Sequence, residues 1–403
     1  MKKLFVKRKL PTLLLALCMV LSALPFTAFA DASATETADF TADGGTKAIN
    51  LLNEFKTVGA ADSVWDNSSK TLTLRGIDFT TTAQTAVKLP AGSTIVLTDG
   101  TSNIIQSGDV TLAVSGDSKN QVFVNALDAV GNLTIQGGTG TLSILAGKLK
   151  NSGDGWVYSS GMAVNGDLTV KGGRVTVRGG SVESDGSCFS IGVNMDSDSI
   201  KNKALLVTGG TLTAIADKAY ELEEGGTKRA VFSRGVYMCQ GNVIVSGDGK
   251  LRAESVEEMA EANNLSNGLY IFMGNLTVAN SAEVYVIGAY GADIFGGSIQ
   301  LKGGKLTAIS TQAPDNYGNL GHALSVDVNS RVADSGNITV SGGTLKTVNG
   351  YIYISSLGAK ENQGLFTVTG GTVVNEGQLY GPKKLDISGG TVQTQRIDSD
   401  ALT

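Results

Sequence analysis

Histidine, cysteine, proline and aromatic residues are all scarce in this sequence, and each scarcity narrows the functions it can serve. The chain of 403 residues has one histidine, three cysteines, five prolines and 6% aromatic residues. His322 has no second histidine with which to build a metal site or a catalytic dyad, so we expect a surface or structural role for it. The sequence also lacks the H-E-x-x-H, G-x-S-x-G and P-loop motifs, so it gives no signature of a zinc protease, a serine hydrolase or a nucleotide hydrolase.

Positive charge becomes scarce once the first thirty residues are set aside. Residues 1–30 combine a basic head, an apolar stretch and the sequence Ala28-Phe29-Ala30, which is the pattern of a cleaved export signal. The remainder has 27 basic and 37 acidic residues, a net charge of −10. Such a charge disfavours nucleic acids, anionic membranes and acidic polysaccharides without a bridging cation. We expect a protein that is secreted or held at the cell surface, with no membrane insertion.

Glycine, in contrast, is abundant, and much of it occurs in a repeated phrase. Of the 53 glycines, many form a pair between two short runs that alternate apolar and polar residues. The phrase is "LTVKGGRVTV" from Leu168, "LLVTGGTLTA" from Leu205, "IQLKGGKLTA" from Ile299, "ITVSGGTLKT" from Ile338 and "FTVTGGTVVN" from Phe366. The alternation predicts strands with one buried face, and the glycine pair predicts a tight corner in the left-handed backbone conformation.

A further strand precedes several of these phrases. The segments "YSSGMAV" from Tyr158, "FSIGVNM" from Phe189, "FSRGVYM" from Phe232 and "LSNGLYI" from Leu265 align without a gap. One unit therefore has three strands, which we call A, B and C, and it recurs about every 19 to 39 residues. This pattern predicts an all-β chain, a right-handed parallel β-helix of about eleven coils. The alternative is an antiparallel β-sandwich, for which Asn-Gly hairpin turns would be expected.

The same alignment predicts that the two cysteines outside the export signal do not pair. It places Cys188 just before strand A of one coil and Cys239 just after strand A of the next. Eight positions along a strand correspond to roughly 26 Å, whereas a disulfide requires Cα atoms within about 7 Å. We expect two thiols.

The organisation predicted from these patterns has a β-helix domain over residues 46–403. Residues 31–45 are predicted to be a disordered polar leader. Residues 46–55 have apolar residues at α-helical spacing. They are predicted to form a short α-helix that caps the N-terminal end of the β-helix. No cap is indicated at the other end, so either the polar tail folds over the C-terminal coil or an end-to-end partner covers it. Long insertions fall between strand C and the next strand A, which places them on one edge of the molecule.

The repeats resemble the pectin-lyase-like superfamily, which contains polysaccharide lyases and glycoside hydrolases. In addition, "VWDNSSKTLTLRG" together with "IVLTDGTSNII" is similar to secreted carbohydrate-binding domain proteins of Gram-positive, often gut, bacteria. The resemblance implies a polysaccharide or cell-surface glycan as partner. The catalytic signatures of the enzymatic branches are only partly present: Gly321-His322-Ala323 and Arg396-Ile397-Asp398 are fragments of them without a neighbouring Asp-Asp pair.

Tyrosines and one tryptophan are the candidate ligand-binding residues. The middle residue of strand A points outward, so Tyr237 and Tyr270 should form an aromatic step on consecutive coils, and such rings suit sugars. Trp156, Tyr220 and Tyr317 lie in or beside the insertions on the same edge. An equally weighted alternative is that the two strand tyrosines only stabilise the stack. We identify no catalytic residue and no cofactor. Asp196 and Asp198 are a candidate Ca²⁺-binding loop, with an ordinary solvated acidic loop as the alternative.

Three functions follow, in order of preference. The first is a secreted or surface-associated, non-catalytic polysaccharide-binding protein that holds its glycan along the strand A face and the C–A insertions. The second is a polysaccharide lyase or glycoside hydrolase of the same fold. The third is an adhesin or a subunit of a surface assembly. The sequence does not decide whether the protein is an enzyme, but the first reading is favoured.

Overall fold

Short strands that stack in parallel make up most of the molecule. In a computed structural model the chain is all-β, with 63% strand and 4% helix. The structure describes residues 34–55, 62–116, 121–196, 202–221, 230–256, 264–312, 321–329, 331–355 and 358–398. Its long parallel sheets, built from repeated units, are compatible with a β-helix. They do not fit an antiparallel sandwich, because one antiparallel strand pair occurs among the described pairings.

The strand A segments form one sheet of twelve strands, which we call sheet A. The gap-free alignment of the four segments is confirmed, because Tyr158, Phe189, Phe232 and Leu265 are successive register partners. The strands are Ala38–Asp39, Thr85–Leu89, Gln121–Ala129, Trp156–Val164, Cys188–Met195, Val231–Cys239, Asn264–Phe272, Tyr290–Phe295, His322–Asp327, Tyr351–Ser355, Gln378–Tyr380 and Arg396–Asp398.

Strands B and C stack in the same way and are linked into a second sheet of nineteen strands. The B strands are Thr71–Leu74, Ser93–Leu97, Leu133–Gly137, Leu168–Val170, Lys203–Val207, Gly241–Val245 and Leu276–Val278. The C strands are Asp78–Thr80, Ser102–Gln106, Thr141–Leu145, Arg174–Arg178, Thr211–Ala216, Lys250–Ser255 and Glu283–Gly288. Towards the C-terminus B and C run together as Ser298–Ser310, Asn337–Val348, Leu365–Asn375 and Lys384–Gln393, and Val64–Asp66 pairs antiparallel with the first B strand.

A small third sheet was not predicted. Its four parallel strands are Val110–Leu112, Leu149–Asn151, Val182–Ser184 and Ala219–Glu221. Two of them lie within stretches that the sequence pattern assigned to long insertions after strand C. These insertions therefore continue the stack as an extra, very short strand. The sequence did not predict these strands because three residues are too few to display a clear alternation.

The glycine pair fits its predicted mechanical role at the corner between strands B and C. Gly210 has φ +67°, and a Cβ placed there would lie 2.4 Å from the carbonyl oxygen of Gly173, the equivalent glycine one coil away. The corner therefore requires glycine at this position for two reasons: the backbone is left-handed, and the stacked chain approaches too closely for a Cβ. Asn280 takes the left-handed conformation at φ +60° in a coil without the pair.

The N-terminal end is covered by the only α-helix of the described residues, Thr46–Glu54, which we call α1. Its Ala48 and Leu52 are buried in the core, as the helical spacing predicted. The prediction of a disordered leader is wrong for its described part. Ala38–Asp39 pairs with Val87 and Lys88, and Phe40 is buried against Trp65. Strand pairing and the buried side chains of Ala34, Ala38 and Phe40 anchor this segment.

Alternate residues along the strands of sheet A point into the core and toward the surface, as predicted. Val236, Met238, Leu269 and Ile271 are fully buried and join the main hydrophobic core. Cys188 is aligned with Val231, so Cys239 lies eight residues further along on the next strand. Neither cysteine forms a disulfide, and both are buried. The predicted separation of the two thiols is confirmed.

Candidate functional site

The outward side chains of sheet A form one continuous surface, which we call the A face. Its central row consists of residues that are side by side on successive strands. These are Ala163, Asn194, Tyr237, Tyr270, Asp293, Ser325, Tyr353 and Tyr380. At about 4.8 Å per strand, this row is long enough to follow an extended polymer.

Tyr237 and Tyr270 meet on neighbouring strands, as predicted. They are register partners, and their ring centroids are 5.8 Å apart with the planes inclined by 42°. Both side chains are half-buried, so the step is less exposed than the sequence suggested. Burial raises the pKa of each hydroxyl above its usual range, so both hydroxyls remain protonated and able to donate hydrogen bonds at physiological pH.

Arg234 explains why the tyrosines are not fully exposed. Its guanidinium carbon lies 3.9 Å from the ring centroid of Tyr270, 4.7 Å from that of Tyr237 and 4.4 Å from that of Phe232. These are cation–π contacts, which become stronger when the cation is desolvated. Burial lowers the pKa of Arg234, whereas Tyr270, Tyr237 and Asp293 raise it. Because a guanidinium is effectively always protonated in proteins, the site contains a fixed positive charge.

The polar groups of Arg234 and its neighbour Asn267 are poorly satisfied. Arg234 is 6% exposed, and its Nε has no hydrogen-bond partner in the described part of the chain. Asn267, its register partner on the next strand, is fully buried, and neither its Nδ2 nor its Oδ1 has a partner in the described part of the chain. Each unsatisfied buried polar group costs about 1–3 kcal/mol. Such groups deserve an explanation, and a bound ligand is one.

Two carboxyl groups lie further along the A face. Asp293 is the register partner of Tyr270, and Asp327 follows two residues after Ser325, the partner of Asp293. Burial, reinforced by the charge of Asp327, raises the pKa of Asp293 to about 7, although Arg234 and the Ser325 hydroxyl act in the opposite direction. Burial also raises the pKa of Asp327. Near neutral pH Asp293 can therefore both donate and accept a proton.

Aromatic stacks extend the A face on both sides of this centre. One runs through Phe123, Tyr158, Phe189 and Phe232, with successive centroids 4.6, 4.2 and 5.1 Å apart. A second runs through His322, Tyr353 and Tyr380, with centroids 4.6 and 5.6 Å apart. Phe123 and Tyr380, at the outer ends, are 40% and 43% exposed. The buried inner rings stabilise the stack, and the end rings remain accessible to a ligand.

The remaining predicted ligand-binding residues separate into three cases. Trp156 joins the A face, since it packs 5.6 Å from Phe189 in the cluster that also contains Tyr237. Tyr220 belongs to the small third sheet, where its hydroxyl donates a hydrogen bond to Glu183. That bond, more than burial, raises the pKa of Tyr220 to about 12. Tyr317 lies outside the described residues.

His322 is an aromatic spacer rather than a candidate base. It is buried, stacks on Tyr353 and meets Tyr290 edge-on at 5.5 Å. The loop considered for Ca²⁺ contributes Asp196, while Asp198 lies outside the described residues. Within the described ranges no group of three His, Cys, Asp or Glu side chains is arranged to hold a metal ion.

Arg234, Asn267, Asp293 and Asp327 were missed from the sequence, although a signal for one of them was present. "YGADIF", Tyr290–Phe295, repeats the order glycine, apolar, outward, apolar of strand A. Extending the alignment by this coil would have placed Asp293 beside Tyr270. Arg234 occupies the position before the strand A glycine, where parity alone did not indicate whether it points outward.

Comparison with known proteins gives no name to this site. No family model matches the chain, and neither a curated protein nor a solved structure is significantly similar to it. Among the described residues, no helix has the length and apolar character required to cross a membrane.

Proposed function

We propose that the protein is a secreted or surface-associated polysaccharide-binding protein that holds its glycan along the A face. The observation that carries this proposal is the juxtaposition of Tyr237 and Tyr270 with Arg234 and Asp293 on three neighbouring strands. Aromatic rings offer sugars a flat apolar surface with a polar tip. The guanidinium only donates hydrogen bonds, and a carboxylate only accepts them, so together they match a hydroxyl-rich ligand.

The finer features of the fold and location belong to the same proposal. A right-handed β-helix of about eleven coils, related to the pectin-lyase-like superfamily, is supported by the stacked parallel sheets. Export is supported by the pattern of residues 1–30. Each coil of a β-helix adds one residue to every row on a face, so a repeated surface can bind a repeated polymer.

A glycan array with matched variants tests the binding proposal. We expect the Tyr237→Ala/Tyr270→Ala double variant to lose at least tenfold in affinity for the glycans that the wild type binds, because aromatic anchors dominate contact energies. Thr339→Ala is the control, since Thr339 lies in the B stack beside Thr367. Retention of every array signal by the double variant would exclude the A face as the binding site.

Glycoside hydrolysis is the second candidate, and the pair of Asp293 and Asp327 favours it. Glycosidases use two carboxyl groups, one protonated and one ionised, and the raised pKa of Asp293 suits the acid. We would expect release of reducing ends from any glycan that binds, abolished by Asp293→Asn and by Asp327→Asn. Binding with neither new reducing ends nor an unsaturated product would leave the non-catalytic function.

A surface-assembly subunit is the third candidate, favoured by the C-terminal coil. Ile387 is 45% exposed, whereas its register partner Val368 is fully buried. Leu385, Val392 and Ile397 of the same coil are only partly buried. A partner that covers this end would bury them. Mass measurement in solution tests this candidate, because an Ile387→Lys variant should lose any self-association that the wild type shows.

A further inference from the structure

We propose that two copies of this chain dock end to end through their C-terminal coils and form a closed, two-fold symmetric dimer. The terminal coil consists of Lys384–Gln393, which contains strands B and C, and of Arg396–Asp398, which is strand A. This inference goes beyond glycan binding and does not depend on it. For the surface-assembly candidate it names the partner, a second copy, and the symmetry of the contact.

The first step of the argument is the apolar surface of the terminal coil. Ile387 is 45% exposed, and three further residues in register with the core are only partly buried, namely Leu385, Val392 and Ile397. One coil earlier, their register partners are at most 1% exposed: Phe366, Val368, Val373 and Leu379. Among the described strands, those of the terminal coil pair on one side only. The end therefore presents open strand edges around an apolar centre, which is a surface suited to pairing with another chain.

The second step is the pattern of charge along the two edge strands. Strand B contributes the sequence "KLD" from Lys384, and strand A contributes "RID" from Arg396. In both, the apolar residue is in register with the core, and the two charged residues lie on the outer face. Each edge therefore has the order positive, apolar, negative. When two such strands pair in opposite directions, every cation lies opposite an anion, whereas an edge with one sign of charge would repel its own copy.

The two charges of strand A also contact each other. The Nη2 atom of Arg396 lies 3.1 Å from the Oδ2 atom of Asp398, and the two side chains are 64% and 45% exposed. Both groups therefore keep enough open surface to meet a partner from a second copy. An exposed pair of this kind contributes little stability by itself, so exchanging it for a contact between copies costs little.

The third step is the shape of the end, which selects one arrangement. Because the chain rises by one strand spacing per coil, about 4.8 Å, strand B is the lowest strand of the terminal coil, strand C is intermediate and strand A is the highest. A two-fold axis that passes through strand C, perpendicular to the stack, sets strand A opposite strand B of the second copy and strand C opposite its own equivalent. All three gaps are then equal. An axis through strand A or strand B makes one gap about 4.8 Å wider than another, so not every strand could pair.

In the selected arrangement the charges match as well. Lys384 of each copy lies opposite Asp398 of the other, and Asp386 lies opposite Arg396. Leu385 meets Ile397 between these charges. Complementary charges around an apolar centre fix the register of such a contact.

The opposite end of the molecule argues against an open filament. In a filament, the terminal coil of one copy would have to meet the first coil of the next copy. That end is covered by α1, whose Ala48 and Leu52 are buried in the core. A contact that uses the same surface on both copies closes after two subunits, so we expect a dimer and no larger assembly.

Sedimentation velocity of the chain without residues 1–30 tests the contact, and we expect a dimer at micromolar concentration. Lys384→Glu sets two carboxylates opposite each other, and Ile387→Lys places a charge in the apolar centre. Each should weaken dimerisation roughly tenfold or more. Lys305→Glu, at an exposed position of the C stack, is the control and should leave the dimer unchanged. Thermal melting verifies that each variant is folded.

Compensating charge reversals assign the arrangement. Adding Asp398→Lys to Lys384→Glu should restore the dimer, because a cation again lies opposite an anion. Adding Asp386→Lys instead should leave a monomer, because both charges of strand B are then reversed against an unchanged strand A. Rescue by Asp386→Lys and not by Asp398→Lys would show that strand B pairs with itself, and the proposed symmetry would be wrong.

The remaining outcomes are equally decisive. A wild type that stays monomeric, a dimer that neither Lys384→Glu nor Ile387→Lys weakens, or oligomers larger than two would each overturn the inference. A monomer that dimerises only after removal of residues 399–403 would identify those residues as the cover of the terminal coil, again against the inference. The glycan array is read separately: an intact dimer that binds no glycan would leave this inference standing and the proposed polysaccharide binding wrong.

Discussion

Arg234 and Tyr270, on neighbouring strands of sheet A, form the closest cation–π contact of the described residues, with the guanidinium carbon 3.9 Å from the ring centroid. Tyr270 is therefore both part of the stack and part of the candidate surface. One ring face receives the buried cation, and the half-exposed remainder faces outward. The sequence presented stacking and ligand binding as alternatives, but the contact with Arg234 leaves room in this residue for the binding role that we propose.

The first prediction is that Tyr270→Leu destabilises the protein by about 2 kcal/mol, because it removes a desolvated cation–π contact and part of a half-buried ring. Tyr270→Phe keeps the ring and should cost less than about 0.5 kcal/mol. Urea denaturation gives the free energies of unfolding. Tyr380→Leu, at a 43% exposed site where the ring stacks on Tyr353, is the control for the loss of a tyrosine ring without the cation. Equal stability of Tyr270→Leu and wild type would mean that the contact contributes nothing.

Much of the fold could be predicted because the same strand pattern recurs in several coils, and each copy supports the same alignment. The four strand A segments aligned without a gap, and their register partners are those that the alignment gave. The same alignment placed Cys188 and Cys239 too far apart to bridge, and it placed Tyr237 against Tyr270. Period-two patterning is reliable here because a register slip would turn a whole buried row toward solvent.

The parts that could not be predicted are those that the repeat does not encode. The third sheet uses strands of three residues, such as Ala219–Glu221, whose pattern is too short to recognise. The cluster of Arg234, Asp293 and Asp327 depends on which outward residues meet across three coils. Each of these residues is unremarkable in its own segment, and only the stacking shows that their charges interact.

The second prediction concerns the thiols. For the chain without residues 1–30, which contain Cys18, we expect about two equivalents of thiol after denaturation without reductant, because Cys188 and Cys239 form no disulfide. The folded protein should react slowly, since both side chains are buried. A thiol reagent with absorbance readout measures both values, and Cys188→Ser should halve the count. A denatured protein that yields no thiol, with a mass two units low, would contradict the observed register.

The third prediction uses two glycines that differ in one respect. Gly210 and Gly92 both have positive φ, but a Cβ at Gly210 would lie 2.4 Å from a carbonyl oxygen, whereas nothing lies within 4 Å at Gly92. Gly92→Ala should cost about 1 kcal/mol for the left-handed backbone alone. Gly210→Ala should cost about 3 kcal/mol, because the stacked coil must also shift. Similar losses on thermal unfolding would show that the corners are not tightly packed.

The last prediction follows from the pKa of Asp293, which burial raises to about 7, compared with about 4 in an unfolded chain. Between these values the folded state binds the proton more tightly, so stability falls as pH rises from about 4 to about 7. Asp293→Asn removes the ionisable group while keeping its size. Because one pKa unit corresponds to about 1.4 kcal/mol, we expect the variant to match the wild type near pH 3 and to be about 4 kcal/mol more stable at pH 8.

Unfolding free energies of both proteins across this range measure the effect. Asp327 contributes in the same direction, because burial raises its pKa as well. It also raises the pKa of Asp293, so the double variant with Asp327→Asn should gain less than the sum of the single variants. A stability difference between Asp293→Asn and wild type that is constant from pH 4 to pH 8 would mean that Asp293 ionises as an ordinary surface carboxyl, and the A face would then lack its proton-linked group.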